Sequence, residues 1–103
     1  PAQSGAARIP VERSRARWLL LGGAKDEVWA SGEMATALGK RLGRRATTVV
    51  YPTAGHQICG AGTYPSHIWA DASPDPRVKD PTAEGAAQVD AWWRMQAFLK
   101  RAL

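Results

Sequence analysis

The sequence predicts an α/β protein in the order β-α-β-α, with parallel strands and an incomplete sheet. Three observations lead there. The apolar run Trp18 to Leu21 stops at Gly22-Gly23, and the β-branched run Thr47 to Tyr51 stops at Pro52. Between them lies one stretch of helical period, and a second such stretch closes the chain. Two strands joined by a helix make a right-handed crossover, so both strands point the same way. A parallel sheet needs cover on both faces, and independent stability usually takes three or more strands. Two strands and two helices are half a fold.

Each element has a local reason. Residues 1–8 are small and polar without a period, a loose lead-in to a segment spanning 9–103. Ile9-Pro10-Val11 suits an extended connector, since the residue before proline is pushed away from helical geometry. Arg17 to Leu21 suits a strand buried on both faces, with the glycines ending it. Ser31 is placed to cap a helix, and Glu33 falls in its first turn, where negative charge is favoured. Met34, Leu38 and Leu42 share one face of that helix, and Gly43 is placed to end it with a left-handed residue. Gly39, inside the helix, costs about 1 kcal/mol against alanine. The β-branched second strand follows, and Pro52 ends it by removing a ladder donor. Gln57 to Asp80 has no period and is broken by proline and glycine. Asp80-Pro81-Thr82 then opens the final helix. Val89, Trp92, Trp93, Met95, Phe98, Leu99 and Leu103 give it a wide apolar arc, suited to a broad sheet surface.

Composition narrows the class. The chain has 103 residues, 45% of them hydrophobic and 22% charged, as in a globular chain. No apolar run approaches the roughly 18 residues that span a bilayer, so no membrane role is expected. One cysteine, Cys59, allows no disulfide within the chain, and the cytoplasm is the default compartment. The first residue is Pro1, and no leader is visible, which fits a processed N-terminus or a chain beginning inside something longer. The net charge of +5 comes from clusters at Arg13, Arg15 and Arg17 and at Lys40, Arg41, Arg44 and Arg45. The second cluster closes a helix, where cations are favoured. No nucleic-acid motif accompanies them, so they read as solvated surface, or else as contacts for an anionic cofactor tail.

The chemistry concentrates at two strand ends. Asp26 follows Gly22-Gly23 and His56 follows Ala54-Gly55, and parallel strands bring both to the edge where ligands of open α/β sheets bind. A carboxylate beside a histidine fixes the imidazole tautomer and stabilises the imidazolium, which makes the pair the base half of a nucleophilic triad. Plainer duties compete: His56 as a turn residue, and Asp26 as a helix cap, although Ser31 is better placed to cap. Cys59 lies close to His56 but lacks a nucleophile elbow, so a packed thiol is the stronger reading. His67, Asp71 and Asp75 match no metal-ligand spacing, and neither metal nor cofactor is expected. Trp69, Trp92 and Trp93 read as core, with Trp69 the one that could line a pocket.

The chain also resembles a known family. The pieces are Ile9-Pro10-Val11-Glu12, LLLGGAKDEVWASGEMA from Leu19, VVYPTAGHQI from Val49 and AAQVDAWWRMQAFLKRAL from Ala86. They are similar to the C-terminal part of the bile acid-CoA:amino acid N-acyltransferase and acyl-CoA thioester hydrolase family. The likeness is specific in Asp-x-Val-Trp and Tyr-Pro-x-Ala-Gly-His and weak from Cys59 to Lys79. It implies the C-terminal portion of an α/β-hydrolase fold and an acyl-CoA thioester substrate, with Asp26 as triad acid and His56 as general base. Lys25 stands where an acidic residue is common in the family, and Ala30 where proline is common. Enzymes of that fold carry the nucleophile on a Gly-x-Ser-x-Gly elbow or its Cys variant, ahead of acid and base. Neither occurs between Pro1 and Leu103. The expectation is a chain inactive alone, whose nucleophile comes from an N-terminal chain. The alternative is a non-catalytic α/β remnant or interaction module docking on another chain.

Overall fold

The computed structural model describes residues 8–58 and 80–103. Among them a first 3₁₀ turn (Val11–Arg13) leads into strand β1 (Trp18–Gly23) and helix α1 (Ser31–Leu42). A second 3₁₀ turn (Gly43–Arg45), strand β2 (Ala46–Tyr51) and helix α2 (Pro81–Ala102) follow. The strands pair in parallel, in a register running from Trp18 opposite Ala46 to Gly23 opposite Tyr51. Among the described residues the sheet has these two strands. The mixed α/β order and the parallel pairing are as the sequence predicts. The lead-in lies outside the described residues except for Arg8, as does nearly all of the stretch after Gln57.

The glycine pair differs from expectation. Gly22 and Gly23 do not end β1 but form its last two positions, and both are buried, whereas Trp18 to Leu21 are only partly so. A Cβ on Gly22 would stand 2.5 Å from the Ser31 carbonyl oxygen. One on Gly23 would collide with the carbonyl oxygens of Gly55 and Ala54. These glycines are small because the start of α1 and the loop after β2 cross directly over them.

The same closeness selects the buried face of α1. Gly32, Ala35 and Leu42 are buried, while Met34 is half exposed. A Cβ on Gly39 would run into the Thr48 hydroxyl, and one on Gly32 would meet the Val50 methyl at 3.1 Å. A helix this near the sheet presents its small residues, so the expected Met34–Leu38–Leu42 face is turned and Met34 swings outward. Gly43 takes a positive φ of 61° as expected, but its ψ of −127° lies outside the left-handed helical region, and the chain passes into the 3₁₀ turn. At the far end of α1, Arg41 forks onto both oxygens of Glu12 and donates to the Ile9 carbonyl at 2.7 Å. Arg45 reaches the Glu12 carbonyl. These two members of the basic cluster tie the first 3₁₀ turn to the helix rather than standing free in solvent.

Helix α2 starts where the sequence places it. Asp80 caps it by accepting from the Ala83 amide at 3.0 Å, and Pro81 occupies the first turn. Its buried face is not the aromatic arc. Glu84, Gly85, Ala87, Gln88 and Ala91 are buried, whereas Trp92, Trp93, Val89 and Leu99 are exposed. Among the described residues the two strands offer too little surface for the whole arc, and the buried positions lie in the N-terminal half of α2. There Ala87 packs with Ala54 and Ile58, against Leu21 and Tyr51.

Candidate functional site

The loops after β1 and β2 are stitched together before their side chains meet. The Ala24 amide donates to the Tyr51 carbonyl and the Lys25 amide to the Ala54 carbonyl, both at 2.9 Å. Asp26 shapes its own loop, its Oδ1 accepting from the amides of Val28 and Trp29 at 3.0 Å each. Its carboxylate then faces His56, whose Nδ1 lies 3.2 Å from both oxygens. The Asp26 side chain is 2% exposed and that of His56 22%. The carboxylate is sealed while the imidazole keeps a route to the surface.

The electrostatics set the direction of the pair. Burial pushes the Asp26 carboxyl upward, but hydrogen bonds from the Ser31 hydroxyl, the Trp29 amide, His56 and the Val28 amide outweigh it and hold the carboxyl below its usual range. An ionised carboxylate only accepts, so the contact between the two is a hydrogen bond when Nδ1 of His56 carries a proton. The Trp29 indole meets the imidazole edge-on, with ring centroids 5.1 Å apart at 83°.

Ser31 does not cap α1 as expected. The helix has Ala30 at its N-cap with no side-chain cap, and the Ser31 hydroxyl instead accepts from the Gly23 amide at 3.1 Å. Two further residues escaped the sequence reading. Glu84 and Gln88, each 1% exposed on α2, grip the backbone beside His56. Glu84 accepts from the Gln57 amide at 2.6 Å and the Gly55 amide at 3.4 Å, and Gln88 donates to the Gln57 carbonyl at 2.6 Å. Glu84 looks in sequence like an ordinary first-turn acid. The pairing of a Glu with a Gln four residues on, on an otherwise small-residue face, was the available signal.

A groove of about 610 Å³ runs beside Asp26, walled by Glu33, Thr36 and Lys40 and floored by Gly23, Gly32 and Val50. It touches the acid but not His56, so it is not by itself a place for a reacting group. Cys59, His67, Trp69, Asp71 and Asp75 lie outside the described residues. Among the described residues no three His, Cys, Asp or Glu side chains gather as a metal would require, and no helix is long and apolar enough to cross a membrane.

The fold and the site together define an α/β protein with an Asp–His pair at adjacent ends of parallel strands. The family model described as BAAT / Acyl-CoA thioester hydrolase C terminal matches residues 2–103, and the chain belongs to that family. It is similar to acyl-coenzyme A thioesterase 2, mitochondrial, of Mus musculus, with 37% identity over 92% of this chain and 22% of the relative. It is also similar to acyl-coenzyme A thioesterase 5 of Mus musculus (36%, 92% and 24%) and acyl-coenzyme A thioesterase 1 of Homo sapiens (36%, 92% and 24%). The chain thus spans less than a quarter of the length of these curated relatives. No solved structure matches it.

Proposed function

We propose that residues 9–103 are the C-terminal segment of an α/β-hydrolase catalytic domain, and that Asp26 and His56 are the acid and base of a nucleophile–His–Asp triad cleaving acyl-CoA thioesters. The observation that carries this is the buried Asp26 carboxylate facing His56 Nδ1 at 3.2 Å, with Nε2 left to act as base. The family membership supports the substrate class.

The chemistry runs in two steps. Nε2 takes the proton of a serine hydroxyl or cysteine thiol as that group attacks the thioester carbonyl, while Asp26 stabilises the imidazolium. The same proton then goes to the departing CoA sulfur, leaving an acyl-enzyme. His56 next activates water, which releases the carboxylic acid. An amine in place of water would give the acyltransferase outcome, and the thioesterase names of the relatives favour water. Residues 1–103 hold no nucleophile elbow, so in this reading the nucleophile and oxyanion donors are supplied from outside them. A cytoplasmic setting fits a chain with one cysteine, although some relatives are named mitochondrial.

The test joins this chain to the N-terminal portion of one of these thioesterases in place of that enzyme's own C-terminus. The hybrid is expected to hydrolyse acyl-CoA, and His56→Ala to lower turnover by about 10²–10⁴-fold. The chain alone is expected to match its own His56→Ala control. Hybrid turnover indifferent to His56→Ala would refute the assignment. A second reading, an interaction module, rests on the exposed Trp92, Trp93 and Leu99 of α2. An inactive hybrid whose α2 buries those residues against the added portion would favour it.

A further inference from the structure

We propose that Glu84 is a positioning residue for His56, with Gln88 behind it, a role that rests on the acid–base reading above. The carboxylate of Glu84 straddles the histidine: one oxygen accepts from the amide of the residue before it, Gly55, and the other from the amide of the residue after it, Gln57. Gln88, one turn further along α2, takes the Gln57 carbonyl. Both side chains are 1% exposed.

Stability alone does not call for this arrangement. A buried carboxylate is costly unless its oxygens are well bonded, and an apolar residue of similar size would fill a buried helix position without that cost. The donors it meets are also specific, being the two main-chain amides that flank His56. On the opposite side the Ala54 carbonyl is held by the Lys25 amide, within the loop that bears Asp26. The backbone around the histidine is therefore held from two elements, by the Lys25 amide of the Asp26 loop and by the Glu84 and Gln88 side chains of α2. Proton transfer needs heavy atoms within about 2.6–3.2 Å, and a displacement of about 1 Å can cost on the order of 10²-fold in rate. Glu84 acts on His56 through the backbone and touches no reacting atom.

The experiment uses the ¹⁵N-labelled chain, following amide exchange at Gly55 and Gln57 and the imidazole nitrogens of His56. In the wild type both amides are expected to exchange slowly, and fast exchange of either overturns the proposal whatever the variants do. Glu84→Gln keeps the shape but turns an NH₂ towards one of the two donors. It is expected to speed exchange of at least one of these amides by about tenfold or more, and to abolish the protected Nδ1–H signal of His56 well below the melting temperature. A residue that only stabilised the fold would lower Tm and leave that signal intact below the melt, and this result overturns the proposal. Gln88→Leu carries the variant arm if Glu84→Gln does not fold. Asp26→Asn separates the two levels of the account. If the wild type has an Nδ1–H signal that Asp26→Asn removes and Glu84→Gln does not, the positioning role alone fails. If the wild type has no such signal, the acid–base reading fails and the positioning role with it.

Discussion

The loop that carries Asp26 and the loop that carries His56 are held in opposite ways. Asp26 organises its own surroundings, taking the amides of Val28 and Trp29 two and three residues away. Among the described residues His56 makes no such local bond. Its loop is fixed from α2, through Glu84 and Gln88, and by the backbone of the acid loop. One half of the pair is a local turn and the other is a tertiary product. The placing of His56 therefore depends on the packing of α2, whereas Asp26 keeps its turn if α2 loosens.

The largest expected effect comes from removing the space that lets the two loops meet. Gly23→Ala places a methyl against the carbonyls of Ala54 and Gly55, which are backbone and cannot step aside as a flexible side chain would. A loss near the top of the range of about 1–3 kcal/mol is expected, together with separation of Asp26 from His56. Thermal melting and the His56 Nδ1–H signal measure the two parts. A neutral Gly23→Ala would mean that the loops are not in contact.

Asp26→Ala should cost less, about 1 kcal/mol, because the amides it orphans lie near the surface and water replaces part of the bond. It sharpens the comparison by its reach. Amide exchange should rise at Val28 and Trp29 and stay slow at Gly55 and Gln57. Equal loosening of both loops would show that the base loop has no independent support.

How much of this was legible in the sequence follows the same division. The strands, the start of α2 at Asp80-Pro81 and the placing of Asp26 and His56 at one edge all rest on short-range signals, and the structure brings that pair together. The misreadings came from distance. Gly22-Gly23 looked like punctuation because nothing nearby in sequence shows that Ser31 and Gly55 pass over them. Met34 looked buried because a four-residue period marks an apolar line but not how closely the helix approaches the sheet. Glu84 looked like a helix-end charge because its partners lie 27 and 29 residues upstream. The tryptophans of α2 looked like core because hydrophobicity shows what can be buried, not what is available to bury it.

The smallest expected effect lies away from both loops, at Glu12 and Arg41. The Arg41 hydrogen bond holds the Glu12 carboxyl down to about 2 from its ordinary 4.5. A lowered folded value stabilises the fold above the unfolded value, and that contribution is lost as pH falls from about 4.5 through about 2. The pair is exposed, so its contribution is small and screened by salt. Glu12→Gln is expected to flatten the acid limb of a Tm–pH curve slightly, with Asp26 and His56 unmoved. A shift in the His56 signals in that variant would mean that the two ends of the sheet are coupled.

The most direct single measurement is the ¹⁵N spectrum of the His56 imidazole in this chain near neutral pH. For the neutral form of the ring, the expected result is a proton on Nδ1, facing Asp26, with Nε2 bare and able to accept. A ring protonated on Nε2 and bare at Nδ1 would contradict it, because that nitrogen could not take a proton from any nucleophile.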